Sequence, residues 1–208
     1  STFDASGLGG GAYDFTYTVN GTICPSQSET VTISVETSPN AGTATNTTIC
    51  NSVSLFDLFS TLTGNDAGGT WNDDNGTGAL SVNFFDATSI SAGTYDFTYT
   101  VTGTTCASSS ETVSITVDEI STDPSSLTAS TPSICSPGPV DFTVTGGSLG
   151  TGAQWELYSG AGACGTTLEG TSLTGTFTGI NVSSTENYFV VASGNCNTTN
   201  CASATVTL

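Results

Sequence analysis

The chain has 208 residues and a formal net charge of −18, from 18 Asp and Glu against no Lys, Arg or His, and it also lacks Met. With no guanidinium or ammonium to neutralise phosphates, ordinary nucleic-acid binding has no electrostatic basis. No imidazole means no Ser-His or Cys-His nucleophile and no histidine metal ligand, and no lysine means no Schiff base, no Lys–Asn isopeptide cross-link and no site for trypsin.

Charged residues make up only 9% of the chain, so solubility rests on Ser, Thr, Asn and a field of one sign. A disordered acidic tail fits poorly, because Val, Ile, Phe, Tyr and Trp recur in ordered alternation. The length is enough for two or more small domains. No apolar run reaches membrane-spanning length and no signal peptide is visible, which reads as a mature protein or an excerpt from a longer one. Membrane insertion is not expected.

In chain order, the first feature is a repeat. Phe3-Asp4-Ala5 returns as Phe85-Asp86-Ala87, and Tyr13-Asp14-Phe15-Thr16-Tyr17-Thr18-Val19 returns unchanged at residues 95–101. Cys24 matches Cys106, and the offset stays at 82 with 21 of the first 36 positions identical. Residues 1–36 therefore read as the closing strands of a unit, 37–119 as a complete unit and 120–208 as a divergent third. The junctions, at Ser38-Pro39-Asn40-Ala41-Gly42 and at residues 121–126, are short and bear Pro, Ser or Gly.

Within the units, period-two alternation dominates: Phe97, Tyr99 and Val101, then Val113, Ile115 and Val117, then Val140, Phe142 and Val144, then Phe189 and Val191. Short β-rich runs between Gly, Asn and Ser clusters predict an all-β chain of tandem immunoglobulin-like β-sandwiches. One segment departs from this pattern. Leu55, Leu58, Phe59 and Leu62 fall at helical spacing, with Ser54 as N-cap and Gly64 past the end, which predicts a short helix over one end of the second unit. Trp71 and Trp155 follow glycine-rich turns where a third strand enters the core, so packing between sheets is expected rather than ligand stacking.

The chemistry on offer is sparse. Asn65-Asp66 and Asn72-Asp73-Asp74-Asn75-Gly76 flank Trp71, and Asp66, Asp73 and Asp74 are the calcium candidates, although solvated turns explain the same residues. Asp73 and Asp74 cannot be a glycosidase pair, because neighbours on a strand point to opposite faces. No serine or threonine has a base to activate it, so no enzyme activity and no cofactor are expected. Asn-x-Ser/Thr patterns occur at Asn20, Asn46, Asn75, Asn181 and Asn197 and matter only where the source glycosylates asparagine.

None of the seven cysteines forms CxxC, which points to disulfides in an oxidising compartment. Cys24 is the odd one, unpaired or joined to a partner elsewhere. On count, Cys50 pairs with Cys106. By correspondence Cys135 would pair with Cys196 and Cys164 with Cys201. An immunoglobulin-like topology objects, because it sets Cys50 and Cys106 at opposite ends of their unit. It favours Cys135 with Cys164 and Cys196 with Cys201, and it leaves Cys50 near the next unit and Cys106 near the previous one, where bridges between units become possible.

Cys135-Ser136-Pro137-Gly138, the run Gly146-Gly147-Ser148-Leu149-Gly150-Thr151-Gly152-Ala153-Gln154-Trp155, Tyr158-Ser159-Gly160 with Cys164-Gly165-Thr166, and Cys196-Asn197-Thr198-Thr199-Asn200-Cys201 resemble immunoglobulin-like repeats of very large Bacteroidetes surface proteins. Ile49-Cys50, Leu58-Phe59, Gly68-Gly69-Thr70-Trp71 and residues 97–101 resemble a second repeat of that class. The resemblance implies a cell-surface protein of adhesin or gliding-motility type, exported by the type IX system. It carries no functional site. Members of that class carry Lys and Arg, so their complete absence here is a departure that implies protease resistance or a uniformly acidic surface.

The expected function is a non-catalytic segment or subunit of an extracellular fibre. Residues 1–36 cannot bury a sandwich core alone. Their missing strands lie upstream in a longer chain, or another copy supplies them by strand complementation, which would build filaments. The rival expectation is a module of a secreted protein whose loops bind a glycan or a protein.

Overall fold

The computed structural model describes residues 2–208, and it is all-β. Strands β1 (Gly11–Val19) and β2 (Gln27–Val35) form a separate two-stranded hairpin. In the second unit, β4 (Thr47–Cys50), β7 (Thr70–Asp73), β10 (Gly93–Val101) and β11 (Ser109–Asp118) make one sheet in the order β4-β11-β10-β7. The opposing layer is broken into β3 (Thr43–Ala44) with β6 (Leu62–Thr63), and β5 (Phe56–Asp57) with β8 (Leu80–Ser81) and β9 (Phe84–Phe85).

The third unit is more regular. Strands β12 (Ser126–Ala129), β13 (Gly138–Thr145) and β16 (Thr176–Val182) face a sheet ordered β15 (Thr167–Ser172), β14 (Gln154–Ser159), β17 (Glu186–Ser193) and β18 (Ala202–Val206). Both complete units run the segment carrying their first cysteine parallel to the last strand. β4 pairs in parallel with β11, and Ser133 makes the matching bridge to Thr207.

Alternation builds the two cores. Phe97, Tyr99 and Val101 of β10, with Val113, Ile115 and Val117 of β11, point inward against Leu58, Leu62, Phe85 and Ala87. In the third unit Trp155 and Leu157 meet Val140, Phe142, Phe177, Tyr188 and Val190. Trp155 is a core residue, as its place in the sequence predicts. Trp71 is only half-buried and stands edge-on to Phe59, at 5.7 Å between ring centroids, and 5.2 Å from Tyr99. Tyr99 is fully buried, and its hydroxyl is satisfied: it donates to the Asp66 carbonyl at 2.8 Å and accepts from the Gly69 N–H at 2.9 Å. A Cβ on Gly69 would lie 2.5 Å from the Tyr99 ring, so that contact requires glycine.

The expected helix contracts to one 3₁₀ turn, Leu58–Thr61. Its N-cap is Asp57 rather than Ser54, because the Asp57 carboxylate accepts from Phe59 N–H at 3.0 Å and from the Asn83 amide at 2.7 Å. Leu58 and Leu62 enter the core, while Leu55 is exposed.

Candidate functional site

The cysteines locate the chain's most specific structure, and their pairing differs from the count-based expectation. Cys50 is bonded to Cys196, across the junction between the second and third units, with 5.7 Å between Cα atoms. Cys50–Cys106 cannot form. Cys50 closes β4 opposite Asp118, at the far end of β11, whereas Cys106 sits in the turn before Ser109. The ten residues of β11 separate those ends by roughly 30 Å at about 3.3 Å per residue, far beyond the ~7 Å a bridge tolerates. Cys164 is bonded to Cys201 within the third unit, with 5.8 Å between Cα atoms. Neither Cys135–Cys164 nor Cys196–Cys201 forms, nor does Cys135–Cys196. Among the described residues Cys24, Cys106 and Cys135 are free thiols.

The junction around Cys50–Cys196 is hydrogen-bonded along its whole linker. Asn51 N–H donates to the Asp118 carbonyl at 2.8 Å, and the Asn51 side chain accepts from Ile120 N–H at 3.0 Å. From the third unit, Thr151 accepts from Glu119 N–H at 2.9 Å, and the Asn197 side chain both accepts from Ser121 N–H and donates to its carbonyl. The Asn195 amide donates to the Asp118 carboxylate at 3.1 Å. These bonds run the length of the linker, so the joint is held by a disulfide, the chain and a polar mesh together.

The joint between the hairpin and the second unit is built on the same plan, one repeat earlier. Glu36 occupies the place of Asp118, and Cys106 that of Cys196. The Cys106 thiol lies 3.7 Å from the Glu36 carbonyl, as Cys196 Sγ lies 3.6 Å from the Asp118 carbonyl. The Glu36 carboxylate accepts from the N–H groups of Thr104, Thr105 and Cys106. Those three donors, Thr104 foremost, pull its carboxyl from an ordinary 4.5 down to about 2.

The hairpin itself carries an open apolar face. Phe15, Tyr17 and Val31 are 40%, 74% and 59% exposed, whereas their counterparts Phe97, Tyr99 and Val113 are 0%. Phe3 packs on Phe15 at 4.8 Å, the separation of Phe85 from Phe97.

The calcium candidates do not converge. Asp66 accepts from the Asn40 N–H at 2.9 Å. Asp73 accepts from Thr77 and Gly78 in its own turn, at 2.8 and 3.0 Å. Asp74 turns the other way, to Asn72 and Thr98. Among the described residues no group of three or more Asp, Glu, Cys or His gathers as a metal centre. One Asp73 oxygen and the Trp71 indole N–H are buried without a partner. Three glycosylation-type asparagines serve as structural acceptors: Asn46 for Ser114 N–H, Asn75 for Asp96 N–H and Asn197 for Ser121 N–H.

One concavity escapes a reading of the sequence. Phe59, Trp71, Leu80, Val82 and Asn83 line a groove of about 330 Å³. Val82, 83% exposed, begins the two-residue turn between β8 and β9 at φ 58°. A β-branched residue is strained in that region, and the turn favours glycine there. Nothing in the local sequence marks the turn, since Val82-Asn83 carries no glycine.

No family model matches the chain, and no curated protein does. Among solved structures, the I-band fragment I67-I69 from titin superimposes with a TM-score of 0.53 at 12% identity, over 95% of this chain and 74% of the other. The N-terminal four Ig domains of Dscam1 isoform 6.9 give 0.42 at 15% identity, over 83% and 45%. A Ca2+-stabilised adhesin with which an Antarctic bacterium binds ice gives 0.33 at 16%, over 94% and 56%. The last two fits are too loose to carry an argument. Together with the strand order, the first makes this an all-β chain of immunoglobulin-like sandwiches.

Proposed function

We propose that the chain is a non-catalytic structural segment or subunit of an extracellular surface fibre or adhesin. The observation that supports this most is the Cys50–Cys196 bridge, which ties one unit to the next. Such a bond persists in an oxidising compartment, on a cell surface or after secretion. A load-bearing stalk has use for it, whereas an isolated binding domain has none. The repeat offset of 82 residues and the uncovered hairpin face fit a chain whose units continue into one another or self-associate by strand complementation. The resemblance to Bacteroidetes surface repeats exported by the type IX system belongs to the same reading.

Negative-stain electron microscopy of the native, unreduced protein tests it. Rods or filaments with a constant angle between neighbouring units are expected, and reduction should broaden that angle. A broad spread of angles before reduction would overturn the reading.

The second reading is a glycan- or protein-binding module. The groove beside Trp71 favours it, because a strained, exposed Val82 next to half-exposed Phe59 has no packing role to explain it. A glycan array with tag-free protein checks this, and silence across the array counts against it.

A further inference from the structure

We infer that the β1–β2 hairpin is a docking site for one kind of partner: a strand of the same repeat type that ends in cysteine and becomes disulfide-bonded to Cys106. The inference rests on the fibre reading and names the partner of that fibre's open face.

The internal duplicate shows what such a face accepts. β10 and β11 pair in the register Gly93 with Val117 through Val101 with Ser109, and β1 and β2 pair in the same register, Gly11 with Val35 through Val19 with Gln27. In the second unit, the outer edge of β11 is taken by β4, which runs parallel and sets Thr47, Thr48, Ile49 and Cys50 opposite Ile115, Thr116, Val117 and Asp118. The same edge of β2 is unpaired in its two-stranded sheet. A strand added there in the same register places its cysteine opposite Glu36.

That position has a waiting thiol. Cys196, 3.6 Å from the Asp118 carbonyl, is bonded to the cysteine opposite Asp118. Cys106 stands 3.7 Å from the Glu36 carbonyl and is free. Three backbone hydrogen bonds to Glu36 hold the turn around Cys106 in place before any partner arrives. An open edge and a placed thiol therefore converge on one occupant, and the repeat carrying it would also bring the layer over the apolar face, as residues 41–91 do in the second unit.

A second folded copy is not that occupant. Its two strands of the right pattern are engaged at home: residues 47–50 pair with β11, and Ile134, next to Cys135, donates its N–H to the Thr207 carbonyl at 2.9 Å. The donor is a further repeat segment whose own edge partner is this hairpin.

The bond forms by exchange with a small-molecule or protein disulfide. The Cys106 thiolate attacks that disulfide and expels one thiolate. The donor cysteine's thiolate then attacks the Cys106 sulfur and expels the second. Two cysteine sulfurs are oxidised, the reagent disulfide is reduced to two thiols, and the two cysteine protons pass to those thiols.

The test uses the full chain and a synthetic peptide with the sequence of residues 41–57, in a glutathione redox buffer. Chymotryptic mapping should find the peptide on Cys106 at least tenfold more often than on Cys24 or Cys135. A scrambled peptide keeping its cysteine should lose that preference. A peptide with serine for cysteine should still slow amide exchange at Thr32, Ser34 and Glu36, whose counterparts Ser114, Thr116 and Asp118 face β4. Equal labelling of the three free thiols, or Cys106 labelling no better than with the scrambled peptide, overturns the proposal. So does peptide-independent dimerisation through Cys135. Constant angles between units in the microscope alongside a failed peptide test would remove this docking site and leave the fibre reading standing.

Discussion

Residues 13–19 and 95–101 are the same seven amino acids, in the same hairpin register, and they meet opposite surroundings. Their polar faces are alike. Thr16 bonds Thr30 at 2.8 Å as Thr98 bonds Thr112 at 2.7 Å, and the Tyr13 and Tyr95 hydroxyls each donate to a carbonyl four residues back. Their apolar faces differ, because residues 41–91 cover one while only Phe3 packs on the other among the described residues. The backbone pattern of a hairpin is thus written locally. The burial that stabilises it is supplied by another segment.

The largest contrast should come from Phe97→Ala against Phe15→Ala. The first opens a cavity in a closed core and should destabilise the second unit by about 3–5 kcal/mol. The second removes a ring that is already 40% exposed, and should cost less than about 1 kcal/mol. Chemical denaturation followed by Trp71 and Trp155 fluorescence checks both.

Next in size is Cys50→Ser against Cys106→Ser. Losing the inter-unit bridge should cost about 2–4 kcal/mol and split one unfolding transition into two, while Cys106→Ser leaves the melt unchanged. Calorimetry of the two variants separates these outcomes.

A smaller effect is expected at the tyrosine hydroxyls. Tyr99→Phe leaves the Asp66 carbonyl and Gly69 N–H without their partner, for about 1–2 kcal/mol. Tyr17→Phe, at a 74% exposed residue, should be silent in the same melts. The smallest is a pH effect at the first joint. The Glu36 carboxyl is held below its unfolded value, so its grip on the turn is complete above about pH 4.5 and lost as pH falls through about 2. The protection of the Thr104 and Thr105 amides, as exchange relative to the intrinsic rate at each pH, should fall over that window, and the step should be absent in Glu36→Gln.

Much of this was readable from residues alone, and the failures are instructive. Period two gave the strands because each inward position had to be apolar, and Trp155 followed from that rule. The disulfides resisted counting, because a count ignores which end of a strand a residue occupies. The topological objection places Cys50 at the next unit, as found, but both of its pairs in the third unit fail, and there the correspondence between units yields the observed Cys164–Cys201. The helical spacing of residues 55–62 resolves into a single 3₁₀ turn, Leu58–Thr61, because i, i+3 and i+4 spacing is shared by such a turn with its flanking strands. The extra carboxylate of Asp57 captured the cap at a later position. The groove at Val82 left no signal, since strain at a turn lies in the backbone and not in the residue types.

The bridged joint has a mechanical consequence of its own. A bead chain linked by single strands swivels at every link, and torque dies out within one bead. Here two covalent connections cross the same joint side by side, the linker after Asp118 and the Cys50–Cys196 bond. The third unit is therefore locked in azimuth to the second, and in a fibre that repeated this joint a fixed rotation per joint would add up into a helical pitch. Any patch displayed once per unit of such a fibre would follow a regular spiral, and rotation applied at one end would be transmitted to the other.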